Sequence, residues 1–336
     1  MNPSPVKAGR FRPLPLLRNG HLQTALAFFI KGSPLRRPTR VERVELPDGD
    51  KLLLYDSAPP GWNPTDPTTL LVHGLGGCHR SSYLQRTARR LLDRGIRVVR
   101  MDMRGAGDGA PLARHFYHAG RSEDLRHALA AIRRWAPQSP LWLVGFSLGG
   151  NLSAKLAGEA ADDPVPGLAR VATIAAPIDV YRCWELMSQP HNRHYDRFFA
   201  RELVKQARRR HQLIRDDPPL PRFPTGLTLR QFDDRFTAPR CGFADAIDYY
   251  RRSSAFPLIP KIQVPALLLT ARDDPFVAAD PYEELHPPAN VTVQIEDHGG
   301  HLAFLGWDGS GAIRWAERRV VDWLTESRGI RSTDAS

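Results

Sequence analysis

Residues Leu141–Asn151 read LWLVGFSLGGN, four apolar residues running into Gly145-Phe146-Ser147-Leu148-Gly149 and a further glycine. A serine in this G-x-S-x-G setting is either part of a plain tight turn or a nucleophile held up on one. The motif alone is weak. Its context is stronger, because an apolar strand precedes it and a helix-compatible stretch follows, as a strand-to-helix nucleophile elbow requires. Small residues flank such a serine because its backbone is strained and its neighbours approach closely. The helix N-terminus beneath it favours developing negative charge.

A serine hydroxyl needs a base, and the base needs an orienting acid. Two later segments supply both in the order Ser, Asp, His. Ala266–Thr270 ends in Ala271-Arg272-Asp273-Asp274-Pro275-Phe276-Val277, and Val291–Ile295 ends in Glu296-Asp297-His298-Gly299-Gly300-His301. Order leaves two carboxylates and two imidazoles open. The anion formed on attack needs backbone donors, each typically worth about 3–4 kcal/mol. The N–H of Leu148 is one candidate, and the N–H of Leu75, within His73-Gly74-Leu75-Gly76-Gly77 after an early apolar run, is the other.

Positioning these residues requires a sheet. Val41–Leu46 and Leu52–Ser57 flank Pro47-Asp48-Gly49-Asp50 and predict a hairpin. Thr69–His73, Val98–Met103, Leu141–Val144, Val171–Ala176, Ala266–Thr270 and Val291–Ile295 predict further strands. Helices are expected over Ser81–Leu92 and Leu148–Gly158. Another is expected after Ser122 as N-cap, with Leu125, Leu129, Ile132 and Trp135 on one face. Ile313, Ala316, Val320 and Leu324 mark a closing helix. Strands alternating with helices predict a mostly parallel sheet covered on both faces.

Residues 181–255 break that rhythm and predict an inserted cap between core segments 41–180 and 256–328. The first forty residues are expected to wrap the surface, and 329–336 to form a disordered tail. The cap holds fifteen Arg or Lys against nine Asp or Glu, more than half of the chain's net charge of +11. The basic residues are dispersed, with Arg208-Arg209-Arg210 the only triplet. They are expected to be a solvated surface, with peripheral contact to anionic lipid as one use. No zinc-finger spacing or aromatic-basic signature points to nucleic acid. Three scattered cysteines, no apolar run of membrane length and no signal-peptide core predict a cytoplasmic protein.

The chain resembles the α/β-hydrolase superfamily, and more narrowly its YheT-like branch of bacterial esterases, abhydrolase-domain acylglycerol lipases and medium-chain ethyl ester synthases. The resemblance rests on Asn19 to Thr24, His73 to Gly77, Asp102 to Gly105, Gly145 to Asn151, Phe232-Asp233-Asp234, Gly242-Phe243 with Tyr249-Tyr250, Ala271 to Val277, and His298 to Leu302. Gly20 stands where a proline is usual. The resemblance implies Ser147 as nucleophile, Asp274 as acid and His301 as base in carboxylic ester hydrolysis. It requires neither metal nor organic cofactor. His73, Asp102 and Arg104 are expected to brace loops, and His21 to cap or pack rather than line the pocket. Asp233 and Asp234 are expected to cap helices and pair with cap arginines, and Tyr249 and Tyr250 to fill the cap's core. Acyl transfer to an alcohol and a non-catalytic basic binding protein are the rival readings.

Overall fold

The turn at Pro47–Asp50, with Gly49 at φ +86°, reverses the chain between strands β1 (Arg40–Glu45) and β2 (Lys51–Ser57), which pair antiparallel with Arg40 opposite Asp56. They form one end of an eight-stranded sheet. The computed structural model describes residues 11–30, 35, 38–215, 217–307 and 313–326, so the expected tail at 329–336 lies outside the described residues. The other strands are β3 (Thr68–Val72), β4 (Arg97–Asp102), β5 (Leu141–Phe146), β6 (Leu168–Ile174), β7 (Ala266–Ala271) and β8 (Val291–Glu296). Their spatial order is β1-β2-β4-β3-β5-β6-β7-β8. β2 pairs antiparallel with β4, and every later pairing is parallel.

Every residue of β3, β5 and β7 is buried. Continuous apolar runs of this kind belong to strands with both faces covered. Alternate side chains go opposite ways. Leu70 and Val72 join the cluster holding Leu125 and Leu129 of α3 (Glu123–Trp135) and Leu152 and Leu156 of α4 (Leu148–Glu159). Leu71, Val144 and Leu267 pack instead with Leu84 and Leu91 of α2 (Ser82–Leu92) and Val320 and Leu324 of α8 (Trp315–Thr325). Each buried leucine contributes about 1.5–3 kcal/mol.

Two local expectations are corrected. Ser122 is itself helical (φ −67°, ψ −23°) and caps nothing; its hydroxyl donates to Glu159 Oε2 at 2.7 Å, bolting α3 to α4. Ile313 is exposed and precedes the closing helix, whose inner face is completed by Trp315 and Val321.

The N-terminal segment carries α1 (Gly20–Phe29), capped by the Asn19 side chain, which accepts from the Leu22 N–H. Between β6 and β7 lie α5 (Val180–Ser188), α6 (Arg193–Leu213), a π-helical turn at Asp233–Thr237 and α7 (Ala246–Ser253). This region has a small core of its own, with Val204, Ala207, Leu227, Phe232 and Phe236. Arg210 departs from the solvated-charge expectation. It is fully buried, lies 4.0 Å over the Phe116 ring, and donates to the Ala113 and Arg114 carbonyls and to Asp217, pinning the end of α6 to the loop after β4. Among the described residues no helix is long and apolar enough to cross a membrane.

Candidate active site

β5 stops at Phe146, and the chain turns through Ser147 at φ +51° and ψ −123° before α4 begins at Leu148. A non-glycine residue in this region is strained and persists only where its surroundings enforce it. The enforcement is steric. A Cβ at Gly145 would overlap the Gly149 carbonyl, and one at Gly149 the carbonyls of Val72 and His73. The two motif glycines are therefore the residues that let β5, α4 and the end of β3 close on one another.

Ser147 Oγ lies 2.9 Å from His301 Nε2, and His301 Nδ1 lies 2.8 Å from Asp274 Oδ2. The carboxylate accepts, so Nδ1 carries the proton and Nε2 is left to accept from the serine hydroxyl. The other oxygen of Asp274 accepts from the Phe276 and Val277 N–H groups at 2.8 and 3.1 Å, which holds the buried carboxylate still. Phe276 packs 4.8 Å from the His301 ring, and Tyr195 and Phe199 of α6 pack on Phe276.

The doubled residues sort themselves. Asp273 turns to the Gly300 N–H at 2.8 Å, and burial raises its pKa. His298 sits 3.4 Å from Asp273 and stays out of the Ser147–His301–Asp274 chain of hydrogen bonds.

The loop after β3 lies against the serine; a Cβ at Gly74 would come within 2.9 Å of Ser147 Cβ. The Gly74 N–H donates to the Tyr83 hydroxyl and the Gly76 N–H to the Tyr117 hydroxyl, both at 2.9 Å. Tyr117 in turn donates to Gln206 of α6. Among the described residues the Leu75 N–H between them, and the Leu148 N–H at the start of α4, have no acceptor. His73 is buried and its pKa is lowered by that burial. Its Nε2 accepts from the Met103 N–H, so its Nδ1–H donates to the Gly74 carbonyl, and the neutral ring staples two loops together.

Asp102 accepts from the His79 N–H and ring, the Tyr55 hydroxyl and the Asp108 N–H. Arg104 binds Asp124, Asp50 and Asp48. Cys78 and His79 beside Asp102, and Asp48, Asp50 and His115 around Arg104, are close enough to share an ion. In both clusters the carboxylates are already committed to protein donors, a poor fit for a metal. His21 stacks on Tyr195 at 5.7 Å. Asp233 accepts from Thr237 and Tyr250, and Asp234 from the Ala246 N–H, with Arg230 at 3.6 Å. Tyr249 and Tyr250 are buried beside Phe243 and Trp184.

Sequence reasoning missed the residues that hold the His301 loop. That loop contains two non-glycine residues at positive φ, Leu302 (+57°) and Phe304 (+39°). Thr24 of α1 donates its hydroxyl to the Gly20 carbonyl and accepts from the His301 N–H at 2.8 Å. Buried Gln23 donates to the Leu17 carbonyl and accepts from the Leu305 N–H. Gly20 lets this helix in, since a Cβ there would overlap the Asp273 carbonyl. The run Asn19 to Thr24 was the available signal. Asn151 was missed likewise; it ties α4 to the Ala119 and Ser253 carbonyls and the Ala255 N–H.

Residues 67–306 match the family model described as the alpha/beta hydrolase fold. The chain belongs to that family. The hydrolase is 35% identical over 324 residues to the Escherichia coli protein named "Putative esterase YheT", covering 95% of this chain and 94% of that one. It is 27% identical to the Saccharomyces cerevisiae "Medium-chain fatty acid ethyl ester synthase/esterase 2", over 77% of this chain and 62% of the relative. Among solved structures, 2,6-dihydroxy-pseudo-oxynicotine hydrolase superposes on the hydrolase with a TM-score of 0.59 at 19% identity, covering 90% of this chain and 70% of that one.

Proposed function

We propose that this hydrolase cleaves carboxylic esters of short- to medium-chain acyl or acylglycerol type through an acyl-Ser147 intermediate. The hydrogen-bonded chain Asp274–His301–Ser147 carries the reading. Ser147 Oγ attacks the carbonyl carbon while His301 Nε2 takes the hydroxyl proton, and the Asp274 carboxylate holds the tautomer and stabilises the imidazolium. The Leu75 and Leu148 N–H groups receive the oxyanion. Collapse breaks the ester bond, and His301 returns the proton to the leaving alcohol. Water then attacks the acyl-serine as His301 takes its proton, and His301 passes that proton to Ser147 Oγ as the bond to serine breaks and the acid leaves. Esterase names among the relatives support this chemistry. Residues 181–255 act as a lid, with α6 as the helix that reaches both the His301 side and the Leu75 loop.

The test compares wild type with Ser147→Ala for fluorophosphonate labelling and for turnover of nitrophenyl esters from acetate to palmitate. Labelling and turnover are expected in the wild type and lost in a folded mutant. A wild type that neither labels nor turns over any ester overturns the reading in favour of a binding protein. Because one relative is named an ester synthase, the assay includes ethanol and glycerol, and new ester products would mark acyl transfer.

A further inference from the structure

The two faces of α1 differ in a way the fold does not require. Gly20, Gln23 and Thr24 point inward and hold the His301 loop. On the opposite face, Leu22, Leu26 and Phe29 at i, i+4 and i+7, followed by Ile30, lie exposed to solvent, Phe29 by 76%. Leu16, just before the helix, is 92% exposed. A surface helix ordinarily turns this stripe toward the core. Residues 11–30 contain no Asp or Glu and carry Arg12 and Arg18.

The neighbouring helix supplies charge. α6 meets α1 where Tyr195 stacks on His21. Its inner side lies over the site, with Tyr195 and Phe199 against Phe276, and Gln206 on Tyr117. Its outer side exposes Arg197, Arg201, Lys205, Arg208 and Arg209, together with Phe198. Of the two acidic residues on α6, Asp196 is buried and Glu202 is paired with Lys205.

We infer that the outer faces of α1 and α6 together dock on an anionic lipid surface, α1 setting its apolar stripe into the interface while the α6 cations meet the headgroups. An exposed apolar stripe beside a row of cations that outnumber their acidic partners is the pattern of interfacial helices. Nucleic acid would use the cations and leave the stripe unexplained. The proposal rests on the esterase reading in that docking places the candidate site one helix away from esters in the lipid layer.

Sedimentation with sucrose-loaded vesicles tests it. The protein is mixed with vesicles of phosphatidylcholine alone or of equal phosphatidylcholine and phosphatidylglycerol. Wild type is expected to bind the anionic vesicles, less so as salt rises. Arg197→Gln with Arg201→Gln should weaken binding about thirtyfold. Leu22→Gln with Leu26→Gln should weaken it roughly tenfold or more. Both double variants should keep wild-type turnover of nitrophenyl butyrate in solution, which also reports that they fold. Wild type that stays in the supernatant, or variants that bind as wild type does, overturn the proposal. Vesicle binding by a protein without ester turnover would leave the docking face standing and remove the esterase reading.

Discussion

Asp273 and Asp274 are adjacent in sequence yet have different partners. Asp274 faces the His301 ring while two N–H groups hold its other oxygen; Asp273 faces the Gly300 N–H. Asp274→Asn would present an amide N–H or a weaker acceptor to His301 and favour the wrong tautomer. It is expected to lower kcat on the order of 10³–10⁴-fold with the protein still folded. Asp273→Asn keeps an acceptor for the Gly300 N–H and removes no contact to His301 or Ser147. Its kcat is expected to stay within about tenfold of wild type. Steady-state kinetics on one soluble ester compares the two, and equal losses would undo the assignment of the acid.

At the scale of elements, α1 and the His301 loop stand or fall together. Leu302 and Phe304 hold left-handed backbone conformations that cost on the order of 1–3 kcal/mol each. The Gln23 and Thr24 contacts oppose their relaxation. Thr24→Val preserves shape and removes the acceptor for the His301 N–H, a loss on the order of 1–3 kcal/mol. The expected signature is a kcat reduced about tenfold or more with KM little changed, because the imidazole shifts while the substrate surface stays. Thr24→Ser should restore most of it. A Thr24→Val enzyme with normal kcat and only a lower melting temperature would make the contact structural alone.

At the scale of the whole molecule, a buried carboxyl in the region between β6 and β7 ties stability to pH. Burial pushes the Asp233 carboxyl up to about 7, although Thr237 and Tyr250 donate to it. The folded protein therefore holds a proton that the unfolded chain releases near pH 4. Between about pH 4 and about pH 7 the native state binds more protons, so stability falls as pH rises through that window, on the order of 2–4 kcal/mol from this one group. Asp233→Asn should remove this falling contribution, so that stability in urea-unfolding curves rises more, or falls less, with pH across the same range than in the wild type. Buried His118, its pKa lowered to about 3, acts in the opposite sense. A mutant with the wild-type pH dependence would show that Asp233 is not the group responsible.

The hairpin around Gly49, the parallel strands, the Ser147 turn and the two loops holding Asp273-Asp274 and His298 to His301 were legible because each rests on local pattern. Period-2 and period-3.6 burial, turn residues and motif order are all written within a few residues of one another. Ser122 misled because a serine before an acidic helical turn has two available partners. The Glu159 carboxylate, thirty-seven residues away, won over the local N–H groups. Arg210 misled for the same kind of reason: composition assigns arginine to the surface, and only the Phe116 ring, two loop carbonyls and Asp217 make a buried place for it. Which of Asp273 and Asp274 faces His301, and that Thr24 and Gln23 hold its loop, depends on contacts spanning up to about 280 residues. The sequence by itself determined the chemistry that could be done, since residue type and order limit that. The tertiary structure alone decided which side chains support it, because hydrogen-bond direction and close approach exist only once distant segments meet.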